Sequence, residues 1–254
     1  MQALLFNTSY CGPSPLPENL WERWNFDPVL LAVMLAVATL FWFCQPLRSR
    51  PSAGFAAGMA VLAVIFISPL CALTVALFSA RVVHHVLLVA VAAPLLAWAI
   101  LQQARPRLVA LASALPRLAT PLLVLHTVIF WLWHAPDAYL LALTSTPTYW
   151  LMQTTLLGSA MLFWGSVLLA SPGRAIVALV AVTIQMGLLG ALLVFSGQPL
   201  YVPHFGTTQA FGLSALDDQQ LSGLIMWVPA SLPYLLVAVW RLAAWLRHSE
   251  ATQP

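Results

Sequence analysis

The chain has no lysine, and only seven acidic residues stand against ten arginines in 254 positions. Charged residues make up 7% of it, far below the roughly one quarter usual in soluble domains. A water-soluble globular fold is therefore excluded for most of its length. The arginines lie singly beside apolar runs and form no patch, so a pI near 9.0 carries no suggestion of nucleic acid. Cysteine is scarce too. Three are present, at 11, 44 and 71, with no Cys-x-x-Cys or Cys-x-x-x-Cys, which excludes a thiol shuttle of the usual kind. Spacing alone gives no ground for pairing Cys11 with Cys71. Nucleophile elbows, phosphate loops and paired catalytic carboxylates are also missing, and no enzyme chemistry is expected. The first twenty residues lack a basic stretch leading into an apolar core, so no cleavable signal is expected.

Apolar sequence is abundant: 61% of residues are hydrophobic and the mean hydropathy is +0.90. A bilayer core of about 30 Å takes roughly 20 apolar residues per helical crossing. Seven runs qualify, at about 28–44, 53–70, 81–102, 119–135, 148–170, 174–196 and 222–246, behind an external segment 1–27. The expectation is an all-α, multi-pass membrane protein: one domain built as a seven-helix bundle in a lipid bilayer.

The arginines orient it. Arg48 and Arg50, then Arg105, Arg107 and Arg117, then Arg174, then Arg241 and Arg247 fall on alternate connections, as one cytoplasmic face requires. The opposite face holds Glu18, Glu22, Asp27, Asp137, Asp217 and Asp218, with Arg23 and Arg81. The N-terminus is expected outside, in the periplasm, and the C-terminus inside. Ser68-Pro69 should end or kink the second run, and Pro229 and Pro233 should kink the seventh. Gly54-x-x-x-Gly58 and the Gly187–Gly190 stretch offer small faces for close helix packing. The segment 71–80 is too short to cross and is expected at the outer surface.

Three polar groups should gather at the outer boundary. Arg81, His84 and His85 open the third run. Trp131, Trp133, His134, Asp137 and Tyr139 close the fourth. Asp217, Asp218, Gln219 and Gln220 open the seventh, with Met226 two turns deeper and His204 in the loop before. Ionisable groups within spans face the bundle interior and serve a purpose. Imidazole with thioether suits Cu(I), so His85, His134 and Met226, with His84, form the candidate copper set. Adjacent on a helix, His84 and His85 point about 100° apart, so at most one faces a common site. The bland readings are helix capping by Asp217 and Asp218, an interfacial aromatic belt around His134, and core packing for Met226. His126 reads as a buried polar contact. Arg81 is expected to pair with Asp217 or Asp218 across the outer end.

Four segments carry a family likeness: HHVLLVAVAAPLL (84–96), FWLWHAPDAY (130–139), LFWGSVL (162–168) and LDDQQLSGLIMWVP (216–229). Over about residues 55–245 the chain resembles the CtaG-type cytochrome c oxidase assembly factors, seven-span proteins of the bacterial plasma membrane linked to caa-type oxidase biogenesis. The resemblance implies a role without turnover chemistry: helping copper into an oxidase at the periplasmic face, with oxidase subunits as partners and a periplasmic copper chaperone as a donor. Matched positions are His85, His134, Asp217, Asp218, Gln219 and Met226. The chain departs from the family where His pairs are usual, carrying Arg81 four residues before His85, and Tyr149 and Gln153 in the fifth run. Two alternatives follow: a metal-free scaffold or accessory subunit of a respiratory oxidase, and a haem- or quinone-binding redox protein with His85 and His134 as axial pair.

Overall fold

The computed structural model describes residues 9–43, 53–102 and 113–250, with side chains to 247. Cys44, Arg48, Arg50, Arg105, Arg107 and the side chain of His248 lie outside the described residues. Ten α-helices follow in order: α1 Pro28–Phe43, α2 Ala53–Ile67, α3 Leu70–Ala76, α4 Phe78–Leu101, α5 Ala119–His134, α6 Pro136–Thr144, α7 Thr146–Leu169, α8 Pro172–Phe195, α9 Ala215–Trp227 and α10 Leu232–Glu250. Among the described residues there is no strand.

Among the described residues, five helical stretches are long and apolar enough to cross a bilayer: α4, α5 with its lead-in turn, α7, α8, and α9 continued by α10. A sixth appears if α2 and α3, bent by 48°, count as one. The first expected span, at 28–44, appears as α1, which is apolar but only 16 residues long in the described chain. The bend falls at Ser68-Pro69, where proline breaks the ladder and Ser68 Oγ donates back to Val64 O. Segment 71–80 does not cross, and it is packed inside the protein at one end of the bundle. Cys71, Ala72, Thr74, Val75 and Ala76 are all buried, because α3 turns back into the bundle to lead α4 inward.

The seventh run breaks as its prolines require. α9 stops at Trp227 and the chain turns through Pro229; Ala230 N takes over Ile225 O, the carbonyl that Pro229 leaves without a donor, and Ser231 Oγ donates to Trp227 O and Val228 O. Pro233 costs nothing, since it falls in the first turn of α10, where its N–H would have been spare.

Inside α4 the ladder widens to a π turn over Leu87–Ala92. Ala93 N reaches Leu88 O, and Pro94, having no N–H, gives nothing to Val89 O. Trp164 of α7 fills that vacancy, its indole Nε1 donating to Val89 O at 2.9 Å. The Phe-Trp motif of the fifth run thus repairs the backbone beside the third.

Close approaches fix the packing. A Cβ on Gly58 would meet Leu96 side-chain carbons at 2.8 Å, so α2 lies tight on α4. A Cβ on Gly223 would meet Gly190 O at 2.5 Å, and one on Gly190 would meet Gly223 O at 2.8 Å. Backbone on both sides leaves no room to yield, so α8 and α9 touch main chain to main chain there.

Candidate functional site

The glycine contact sets the site. Met186 lies one turn before Gly190 on the same face of α8, and Met226 one turn beyond Gly223 on the same face of α9. Joining the helices at the glycines brings both thioethers to one small void of about 10 Å3, the size of one water or one ion. His85 from α4 and His134 from α5 complete the polar part of its lining, and Val82, Val89 and Phe130 are among its apolar walls. The two imidazole rings lie 5.7 Å apart between centroids, at 79°.

Each imidazole is held differently. His134 Nδ1 lies 2.7 Å from Phe130 O, one turn back. A carbonyl only accepts, so Nδ1 carries the proton and Nε2 the lone pair, the outer-shell arrangement typical of a metal-ligating histidine. His85 has no hydrogen-bond partner at either ring nitrogen, although it is 2% exposed. Buried polar groups are almost always paired, so this imidazole stands out among the residues lining the void. Histidine, cysteine and acidic side chains alone make no cluster of three among the described residues. The donor set is two imidazoles and two thioethers, a soft set suited to Cu(I).

His84 is not part of it. Its ring is edge-on to Phe66 at 5.1 Å and to His85 at 5.8 Å between centroids, and it does not line the void. That is the divergence expected of adjacent helical positions. A haem between His85 and His134 does not fit, because the space they share is ion-sized.

The acidic segment is structural, and its two aspartates do different things. Asp217 is exposed and caps its own helix, accepting from Ser214 Oγ at 2.6 Å and from Ser214 N at 3.3 Å. Asp218 is fully buried and caps a different helix. It accepts from Phe78 N at 2.6 Å and Ser79 N at 3.2 Å, and also from Ser79 Oγ. Gln219 Oε1 accepts from Leu200 N at 2.7 Å, and Gln220 Nε2 donates to Val194 O at 3.2 Å. One segment thereby ties α9 to the start of α4, the end of α8 and the loop after it.

The expected pairing of Arg81 with an aspartate is not made. Asp218 is taken up by the α4 amides and Asp217 faces outward. Arg81, 0% exposed, lies over the Tyr149 ring at 5.5 Å from its centroid and donates to Thr74 O at 3.5 Å. Its Nε and Nη1 have no hydrogen-bond partner. Asp137 is exposed in the first turn of α6 and joins no cluster. The aromatic belt is half right: Trp131 is partly exposed, while Trp133 turns inward and its Nε1 donates to Thr155 Oγ1 at 2.9 Å. His126 does make the buried contact expected, with Nδ1 3.0 Å from Ser159 Oγ.

Cys11 and Cys71 form a disulfide. Spacing gave no sign of it, because only the turn at Ser68-Pro69 brings α3 up against the N-terminal segment.

With that geometry in place, the comparison with known families is decisive. Residues 41–248 match the model of the cytochrome c oxidase caa3 assembly factor family. The chain belongs to this family. No curated protein and no solved structure matches it. The family match covers every element that lines the void.

The loop 196–214 closes the same end of the bundle in this family member. Tyr201 Oη donates to His134 O at 2.7 Å, and Thr207 Oγ1 donates to Ala76 O at 2.6 Å. His204 Nδ1 donates to the same Ala76 carbonyl at 3.2 Å, so its Nε2 accepts from Tyr139 Oη at 2.7 Å. His204 is thus committed to the scaffold.

Burial pushes the His204 imidazole down to about 3 from its ordinary 6.5. With the folded value depressed, the unfolded chain takes up an extra proton below pH 6.5. Stability is therefore full above that pH and is lost as pH falls towards about 3, by about 1.4 kcal/mol per pH unit for this one group. Unfolding in detergent at pH 7.5 and 5.5 checks it. The advantage of wild type over His204→Gln should shrink by about 1 kcal/mol at the lower pH. An unchanged gap would show that the imidazole takes up its proton in the folded protein at the same pH as in the unfolded chain.

Proposed function

We propose that this protein holds Cu(I) between His85, His134, Met186 and Met226 and passes it to an assembling haem–copper oxidase at the periplasmic face. One observation carries the reading. A buried histidine without partners faces an ion-sized void that also receives a second, oriented imidazole and two thioethers. Copper is cargo here and no bond-making turnover is required of the chain. His85, with neither nitrogen engaged, is the ligand free to move, while His134 is pinned by Phe130.

The orientation supports the assignment. Alternate-loop arginines favour a cytoplasmic face opposite this end, and a disulfide at this end suits an oxidising compartment. With α1 as a short or tilted seventh span of a bacterial plasma-membrane protein, the N-terminus is periplasmic and the C-terminus cytoplasmic. Oxidase subunits are the recipients and a periplasmic copper chaperone the donor.

A metal-free scaffold is the second reading. Arg81 favours it, since a permanent cation lies buried against Tyr149 inside the bundle. Cu(I) titration of the purified protein under a competing chelator separates the two. Wild type should take about one Cu(I) per chain, and His85→Ala and Met186→Leu should each weaken binding about tenfold or more. Equal, negligible uptake by all three would leave only the scaffold. In cells, His85→Ala should fail to restore oxidase activity to a strain lacking the protein.

A further inference from the structure

A second cavity lies on the other flank of the bundle, where α1 stands away from it. α1 rests on its neighbours through Leu30, Met34 and Phe41, the last stacked on Phe55 of α2. Between these contacts runs a groove of about 440 Å3, walled by α1, α2, α4 and α7 and almost wholly by carbon. That volume is in the range of small-molecule sites.

Three polar residues interrupt the apolar wall, and Thr154 and Asp27 have hydrogen-bond partners while Gln153 does not. Gln153 of α7 lines the groove, is 2% exposed, and has no hydrogen-bond partner at either amide atom. His84 and Tyr149 are its polar neighbours, near enough to interact with the amide, but neither the amide atoms nor the His84 ring nitrogens meet a partner in good hydrogen-bond geometry. Leaving an amide dry and unpaired costs on the order of 1–3 kcal/mol, so the position makes sense if something brings it a partner. Phe66 and Trp150, with ring centroids 5.4 Å apart, border the groove on the Gln153 side and offer flat walls for a ring. Asp27, also on the lining, is already engaged by Tyr10 Oη at 2.7 Å and Val29 N at 2.8 Å.

We infer that this groove binds a quinone-type amphiphile. Its ring carbonyl accepts from Gln153 Nε2 beside Phe66 and Trp150, and its apolar tail runs between α1 and α2. The amide also serves the reduced form, because Gln153 Oε1 can accept from a ring hydroxyl. A glycerolipid ester shares the carbonyl and tail chemistry, but it brings two chains to a single groove. This site shares no lining residue with the copper void, so the two assignments stand or fall separately.

The test uses full-length protein in nanodiscs containing both phospholipid and a decyl-tailed benzoquinone, followed by exchange into quinone-free detergent. Extraction and mass spectrometry then count what each chain retains. Wild type should keep about one quinone. Gln153→Leu should bind it about tenfold more weakly, as expected for one lost buried hydrogen bond. Met34→Trp fills the groove from α1, leaves the α7 amide intact, and should abolish retention; it decides the matter even if Gln153→Leu fails to fold. Wild type retaining no more quinone than Met34→Trp, or only glycerolipid, would overturn the assignment.

Discussion

Asp218→Ala should leave the protein unable to accumulate in folded form, whereas Asp217→Ala should cost only about 1 kcal/mol. The two residues are adjacent and chemically identical, and only their surroundings differ. Asp217 is an exposed cap of its own helix, and water replaces it readily. Asp218 is buried and receives three donors from the start of α4. Removing it strands two main-chain amides and a hydroxyl away from water, a loss of about 3–5 kcal/mol by analogy with a broken buried charge network. That approaches the whole stability of an ordinary domain. Asp218→Asn should fall between, since its carbonyl can accept while its amide confronts donors. Membrane yield and detergent unfolding of the three variants give the comparison. Similar behaviour of Asp217→Ala and Asp218→Ala would refute the assigned roles.

The next largest effect is expected from the disulfide. Cys11 and Cys71 close a loop with a sequence separation of 60, for which restriction of the unfolded chain amounts to roughly 4 kcal/mol. The bridge also holds Tyr10 stacked on Tyr149 at 4.9 Å, and Tyr149 in turn covers Arg81. Cys11→Ser should lower the melting temperature by about 10 °C. Thiol titration of denatured wild type should find one free cysteine before reduction and three after. Three from the start would show that the bridge does not form.

Much of the architecture was legible because lipid imposes a simple rule. Backbone polar groups must be satisfied within each span, so apolar runs near 20 residues long become helices wherever they occur. The runs at 81–102, 148–170 and 174–196 appear as α4, α7 and α8, displaced by a few residues at most. Proline positions marked the breaks at Ser68-Pro69 and after Trp227 for an equally local reason. The lining of the void was partly legible. His85, His134 and Met226 stood out by type and place, and His84, about 100° round the helix from His85, does not line it. Met186 did not stand out, because a methionine in an apolar helix looks like packing. The available clue was Gly190 one turn on, a small residue announcing that a neighbouring helix comes close to that face.

By itself the sequence determined the solvent, the helices, the breaks between them and the asymmetry of charge. Each is set by interactions within a few residues, or by transfer between water and lipid. Tertiary structure alone decided the partners: Asp218 with the amides of α4, Trp164 with Val89, Cys11 with Cys71, and Met186 with Met226. Those pairings depend on which faces meet across helices far apart in the chain. Two glycines with no room for a Cβ bring α8 and α9 together, and in doing so they set the two sulfurs beside two imidazoles.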